Sequence, residues 1–509
     1  MIARVSTAAL EGISALEVMV ETGLFNQLPG IQISGLASKM VNESRDRIRA
    51  AVKQSGFTFP NKRIIVNLTP ASVKKEGSHF DLPIALSILL AGGYINQSDT
   101  GPMGFIGELS LDGRILPVRG ALPLVKSIRD SGKEAAVVPI ENMEEASLIK
   151  DIKIKGAWDL VSLLKWLPEK EKDYEKIEKT EKGTLWNFPD FKEVKGQEEA
   201  KRAIIIGAAG GHHIFMTGYP GSGKTMLAKR IPGILPPLTL EEELEVTTIY
   251  SLAGELKDSR SPVTVRPFRS PHHTVTVAAM VGGGNIPQPG ELSLSHHGVL
   301  FLDEFSEFRR DVIEVLRKPL EEGTFTVARN KTRVEFPGKI LLVAASNPCP
   351  CGYYGDSRHK CKCTENEIRK YRSRLSGPIL DRIDIQLEIP FLGSHIIMEE
   401  TGGNSMNSRE MREKVNMIKM IQEERYKSSI RNGELTLPLI EKHCKLTKSG
   451  RAFLKEALFK LSLSMRSYHK ILRLSRTISD LEGAEDIGID HLAEAVRYRS
   501  LEKLYALKE

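Results

Sequence analysis

No apolar run in this chain approaches the ~20 residues that a helix needs to cross a bilayer, so a helical membrane protein is not the expected reading. The first residues, MIARVSTAALEGISALEV, contain Glu11 and Glu17 and lack the layout of a signal peptide. Together these absences predict a cytoplasmic location. No solenoid repeat or low-complexity tract is evident either, which excludes repeat arrays. Cysteine is scarce: the chain has five, and four of them crowd into residues 349–363. In a cytosolic chain such clustering favours metal over disulfides. The excess of one charge sign is small, +7 with a pI near 8.9. Over 509 residues that is only a weak hint of an anionic partner.

What is present is ordinary soluble composition, 41% apolar and 27% charged, in a chain long enough for about three domains. PEKEKDYEKIEKTEKGT (168–184) is charged and nearly free of apolar residues, and reads as a linker. A second soft region covers 391–409. These breaks predict a front domain (1–167), a core (185–392) and a tail (408–509). In the front domain IQISG, RIIVNLT, GFIGELSL and EAAVVPI read as strands. ESRDRIRAAVKQSG and FDLPIALSILLAGG read as helices, the second apolar enough to be buried. The core alternates strands and helices as α/β domains do, and the tail shows helical periodicity, as in MREKVNMIKMIQEERY and IDHLAEAVRYRSLEKLY.

Residues 218–225, GYPGSGKT, fit the phosphate-binding pattern G-x-x-x-x-G-K-[ST], with an apolar run before and helix-prone MLAKRI after. Phosphates are densely anionic. Glycines let backbone N–H groups converge on them, and the following helix N-terminus adds its dipole. The expected cradle is Gly218, Tyr219, Pro220, Gly221, Ser222, Gly223, Lys224, Thr225 and Met226. Lys224 should reach the β- and γ-phosphates and Thr225 should hold Mg²⁺. Downstream, GVLFLDE ends an apolar strand in Asp303, placed for the same Mg²⁺, and Glu304, placed to activate the attacking water. The two motifs in this order predict an ATPase. KILLVAASNP ends in Asn347, a polar strand tip able to position water. SGPILDRIDIQLEIP carries Arg382, which either reaches a neighbouring subunit's γ-phosphate or pairs within the chain with Asp381 or Asp384.

GYPGSGKT, VLFLDE, ASNP and GPILDRID, in this order, resemble an AAA+ ATPase. RPFRSPHHTVT and GGGNIPQPGELSLSHHGVLFLDE resemble its magnesium-chelatase-like branch, and the whole chain resembles the YifB/ComM family. The resemblance implies a multidomain α/β protein with a central AAA+ P-loop domain and a C-terminal helical lid. It implies sensor 1 at Asn347, an arginine finger at Arg382 and sensor 2 at Arg466. It further implies a hexameric ring with ATP between subunits. VKGQEEAKRA, with Val194, Gly196 and Gln197, looks like the stretch that closes over adenine. The branch carries a hairpin before sensor 1. TFTVARNKTRVEF fits it, with Arg329, Lys331 and Arg333 either facing a central pore or simply solvated.

The front domain, in KKEGSHFDLPIALSILLAGG and GFIGELSLDGRILPVRGALPLVKSI, resembles the S5-like α+β protease domain of Lon. That enzyme type uses a serine–lysine dyad. Aligning KEG puts His79, not Ser78, at the nucleophile, and the lysine position falls near Leu124, with Lys126 out of register. A serine without a positioned base is a weak nucleophile, so a fold without peptidase activity is expected.

Cys349, Cys351, Cys361 and Cys363 form two Cys-x-Cys pairs. They suit either a tetrahedral structural zinc site bracing the sensor loop or four reduced thiols. His272-His273 and His296-His297 lack a Glu or Cys to complete a ligand set, so pore-loop, nucleic-acid or packing roles are expected instead. The arginines of RPFRSPHH suit phosphate and base contact. Arg466, Lys470 and Arg473 share one helical face that either grips nucleic acid or is solvated, with Arg466 sensing nucleotide. Two functions remain open. One, which the resemblance to the YifB/ComM family implies, is a DNA motor for branch migration or unwinding of single-stranded, forked or branched DNA, as in natural transformation, with recombination proteins as partners. The other is a chelatase-type or protein-remodelling ATPase acting on a protein.

Overall fold

The computed structural model describes residues 2–167, 188–256, 261–284, 288–329, 332–375, 377–391, 406–461 and 464–499. The charged linker at 168–184, Lys331, the Arg329 side chain and most of the soft region 391–409 lie outside the described residues.

The opening segment, in which no strand is predicted, forms the longest strand pair. Ile2–Glu11 runs antiparallel to Ser14–Phe25, from Ile2 opposite Gly23 to Glu11 opposite Ser14. Two residues close the turn, and Gly12 supplies the positive φ (64°). The full sheet runs Gly30–Ser34, Arg63–Thr69, Ser14–Phe25, Ile2–Glu11, Met103–Phe105, Ala135–Pro139, Lys153–Ala157. The predicted strand GFIGELSL breaks after Phe105. A Cβ at Gly107 would lie 2.8 Å from Ile115, and its N–H turns to the His79 carbonyl. Lys39–Gln54 is a helix capped by the Ser38 hydroxyl, which accepts the Val41 N–H. Asp81–Ala91 is apolar except for Asp81 and Ser87 and is buried along nearly all its length, filling the core beneath the first hairpin. Ala121–Asp130 covers the opposite sheet face through Leu124, Val125 and Ile128.

The second sheet has five parallel strands in the order Phe268–Arg269, Val299–Leu302, Leu341–Ser346, Ile214–Gly218, Ile385–Ile389. Both faces are covered, so the central strands are continuously apolar rather than alternating. The C-terminal helices Ser408–Tyr426, Leu437–His443, Lys448–Leu461, Met465–Leu481 and Ile489–Arg497 pack on one face. Ile471, Leu474 and Ile478 share a core with Ile204, Ile214 and Val343. A buried polar knot ties these helices together, with Asp480 accepting from Arg425, Arg476 and Asn432. The front domain abuts this unit, the Gly120 N–H donating to the Ser251 hydroxyl at 3.0 Å. A Cβ on Gly12, at the first hairpin's tip, would lie 2.7 Å from Val334 of the hairpin Thr324–Pro337.

Candidate nucleotide site

Ile214–Gly218 is the fourth of the five parallel strands, between those that end at Ser346 and Ile389. Ligand crevices of open α/β sheets form beyond such carboxyl ends. Gly221 (φ 77°) and Gly223 (φ 90°) take left-handed backbone that favours glycine. Gly218 is required for space, since a Cβ there would sit 2.6 Å from the Ile389 carbonyl. The helix that follows is short, Lys224–Ala228, and passes into a 3₁₀ turn at Ile231–Ile234. Pro232 lacks the N–H and restricts Ile231, which stops the predicted MLAKRI helix early.

Lys224 is almost buried. Its ammonium donates to the Gly218 and Tyr219 carbonyls at 2.6 and 3.0 Å and to Asn347 Oδ1 at 3.3 Å. Burial pulls its pKa down to about 8, with the Asp303 carboxylate working in the opposite direction. The Thr225 hydroxyl donates to Asp303 Oδ2 at 2.6 Å. Two hard oxygen donors from the two motifs thus converge, a set that suits Mg²⁺. The Glu304 N–H donates to Asp303 Oδ1 at 3.0 Å. Glu304 itself is half-exposed with φ 52°, an uncommon backbone for a non-glycine residue. Its carboxylate meets His273 Nδ1 at 3.1 Å. His273 was not singled out for this position; the RSPHH segment carried the signal, but its partner 31 positions away did not show.

The 194–203 segment borders the same loop. Gly196 and Gln197 both have positive φ (60° and 62°). The Gln197 amide donates to the carbonyls of Ser222 and Pro390 at 3.4 and 3.0 Å. Val194 is buried and Met226 exposed. The structure therefore brings together Val194, Gly196, Gln197, the 218–226 loop, Asp303, Glu304 and Asn347.

Arg382 and Arg466 stand elsewhere. Arg382 donates to the Arg317 and Pro378 carbonyls at 3.1 and 2.6 Å and to Glu321 at 2.9 Å. Its intrachain partner is thus Glu321, not Asp381 or Asp384. Asp384 is taken by Lys470 and His212, and Asp381 faces Arg499. Arg466 also pairs with Glu321. Among the described hydrogen bonds and ion pairs, neither guanidinium meets this chain's own 218–225 loop.

Other charges singled out are satisfied internally. Lys470 pairs with buried Asp384 and Arg473 donates to the Leu435 carbonyl, so their face packs on the core and does not offer a nucleic-acid grip. Arg266 is buried against Glu242 and Arg269 is paired with Glu291 and Glu255, which removes both from phosphate contact. Glu245, from the helix Leu240–Ala253, does complete a His/Glu set with His296 and His297. The two N···O distances, 2.9 and 2.7 Å, are hydrogen-bond lengths. Ligands at ~2.0–2.1 Å on a tetrahedral metal would stand ~3.3 Å apart. Arg333 is exposed on its hairpin strand, which pairs antiparallel with Thr324–Arg329. In the front domain the Ser78 hydroxyl donates to Glu108, Leu124 is buried and Lys126 is exposed. Among the described contacts of Ser78 there is no lysine.

A phosphate loop on the fourth of five parallel strands, an Asp-Glu tip on the second, a polar tip on the central strand between them and a set of C-terminal helices define an AAA+-type ATPase of magnesium-chelatase-like build. Family models described as "Magnesium chelatase, subunit ChlI", "Subunit ChlI of Mg-chelatase" and "Magnesium chelatase, subunit ChlI C-terminal" match residues 190–396, 20–142 and 405–499. Competence protein ComM of Haemophilus influenzae is 41% identical over 99% of this chain and 98% of its own length. YifB of Salmonella typhimurium is 39% identical over 99% and 98%. The magnesium-chelatase 38 kDa subunit of Rhodobacter capsulatus is 23% identical over 60% of this chain and 84% of its own. The chain belongs to the ComM/YifB family. Among the described residues, no helix is long and apolar enough to cross a membrane.

Proposed function

We propose that this protein is a ring-forming DNA motor that uses ATP to drive branch migration or unwinding during recombination. The observation that carries the reading is the end-to-end similarity to a competence protein, which spans the front domain, ATPase core and lid alike. In this reading the three parts are functional domains: residues 1–167 a Lon-like fold without peptidase activity, 185–392 the motor, and 408–509 the lid. The front domain contacts DNA or a partner, or organises the ring. The ring is a cytoplasmic hexamer, and recombination proteins are its partners.

The chemistry follows from the site. Lys224 exchanges its carbonyl partners for the β- and γ-phosphate oxygens. Thr225 and Asp303 hold Mg²⁺, which offsets phosphate charge when bound. Glu304 accepts the proton of the water that attacks the γ-phosphorus as the bond to the bridging oxygen breaks, and Asn347 orients that water. Arg382 and Arg466 share Glu321 as a partner, and in the ring both guanidiniums serve a neighbour's γ-phosphate. The Cys349–Cys363 loop carries a structural metal.

The test is an ATP-dependent unwinding and branch-migration assay on forked and four-way-junction DNA, with Glu304→Gln as control. Strand movement lost in the variant supports the motor. Robust ATP hydrolysis with no strand movement and no salt-sensitive DNA binding overturns it. That outcome favours the second reading, a chelatase-type or protein-remodelling ATPase, which the three chelatase-type family matches support.

A further inference from the structure

The loop that follows Asn347 has no strand or helix of its own until Glu365. It is polar and glycine-containing, CPCGYYGDSRHKCKC, and too poor in apolar residues to build a core. Yet it converges its four cysteines. The four Sγ atoms lie within 4.8 Å of one another. Cys349 to Cys351 is 3.4 Å, Cys351 to Cys361 3.5 Å and Cys349 to Cys361 3.7 Å. Thiolates at ~2.3 Å from a tetrahedral ion stand ~3.8 Å apart, so the cluster has the size of a Cys₄ zinc site. Backbone donors are arranged as such a site requires. The Cys351 N–H points to Cys363 Sγ at 3.4 Å and the Tyr354 N–H to Cys349 Sγ at 3.3 Å, and N–H donors favour the charged thiolate. None of the four is in a disulfide.

The same loop is seated on the phosphate loop. Gly352, at the knuckle turn, is so close to Pro220 that a Cβ would lie 2.6 Å from its ring. A Cβ on Gly355 would lie 3.4 Å from the Tyr219 hydroxyl. The Arg358 guanidinium lies over the Phe391 ring, 3.5 Å from its centroid. The chain enters the loop directly from Asn347, which holds Lys224. Knuckle, phosphate loop and polar strand tip are therefore one packed unit.

We propose that Cys349, Cys351, Cys361 and Cys363 bind Zn²⁺ and that the resulting knot clamps the Tyr219–Pro220 turn, so that metal occupancy sets nucleotide affinity. This rests on reading the 218–225 loop as the ATP cradle. The ion replaces four thiol protons with four Zn–S bonds and takes no part in hydrolysis. A phosphate cradle works only when its N–H groups are held in place, and a shift of the turn propagates to every one of them.

The full chain is purified without chelator. Zinc is measured by elemental analysis and by release on thiol modification. Nucleotide affinity is measured by titration with a fluorescent ATP analogue. The wild type should carry one zinc per chain. Cys351→Ser/Cys361→Ser should lose it and bind nucleotide at least about tenfold more weakly. Gly352→Ala keeps all four ligands but puts a methyl on left-handed backbone (φ 86°) 2.6 Å from Pro220; it should keep zinc, measured in the same way, and still weaken nucleotide binding. A wild type without stoichiometric zinc overturns the site. Zinc present with unchanged affinity in Gly352→Ala overturns the clamp, even if the cysteine variant fails to fold. A wild type that carries zinc but binds no nucleotide overturns the ATP reading and the clamp with it, and leaves the zinc site standing.

Discussion

Lys224 makes ATP affinity depend on pH in a direction that can be worked out. Burial lowers its free-state pKa to about 8, while the unperturbed value is 10.5. Bound phosphates repay that desolvation and bring the pKa back to the ordinary lysine range or above. Binding is therefore accompanied by proton uptake at any pH between the two values, and affinity must fall as pH rises through the lower one. Below pH 8 the lysine is already charged and affinity is flat. Between about pH 8 and 10.5 the apparent Kd rises towards tenfold per pH unit, which makes it about tenfold weaker at pH 9 than at pH 7. The sign for the stability of the nucleotide-free protein is opposite. Its folded state binds fewer protons than the unfolded chain over this window, so stability rises with pH. The assay is the Kd of a fluorescent ATP analogue with Mg²⁺ from pH 7 to 9.5, with Lys224→Arg as the variant that stays charged throughout. A flat wild-type Kd to pH 9, or the same slope in Lys224→Arg, refutes the argument.

Arg382→Ala should bind ATP normally yet hydrolyse it about 10³-fold more slowly. Mixing it with Lys224→Ala, whose arginines are intact, should restore turnover. Failure of the mixture in a steady-state phosphate-release assay counts against a shared site. Glu304→Gln should lower kcat at least about 10²-fold with little change in KM, and a parental rate would remove Glu304 from the chemistry. Asp480→Ala leaves Arg425 and buried Arg476 without their carboxylate and should cost about 3–5 kcal/mol in urea denaturation. A loss under about 1 kcal/mol would mean that the knot is not a stabilising unit.

What was legible in the sequence is what local chemistry demands. A phosphate loop needs its glycines, lysine and threonine within eight positions, so 218–225 declares itself. The run 82–91, apolar but for Ser87, announces a buried helix because it has no polar face to offer water. Charge partners are different, because they are set by contacts distant in the chain. Glu321 is 61 positions from Arg382, and Asp384 is 86 from Lys470. From spacing alone a basic helical face and a solvated face look the same, and in fact Lys470 and Arg473 are inside. The first hairpin escaped because small and polar residues dilute its alternation in IARVSTAALE, even though its partner buries Val18 and Val20. The consequence bears directly on the DNA reading. A net charge of +7 gave weak reason to expect a basic surface, and the arginines that best fitted it, Arg266 and Arg269, are paired with glutamates. If the protein tracks DNA, cations with no acidic partner among the described contacts are the ones to test. Arg333 is one of these, exposed on the hairpin that the front segment's first turn leans against, and Arg333→Ala is the variant in which to measure salt-sensitive DNA binding.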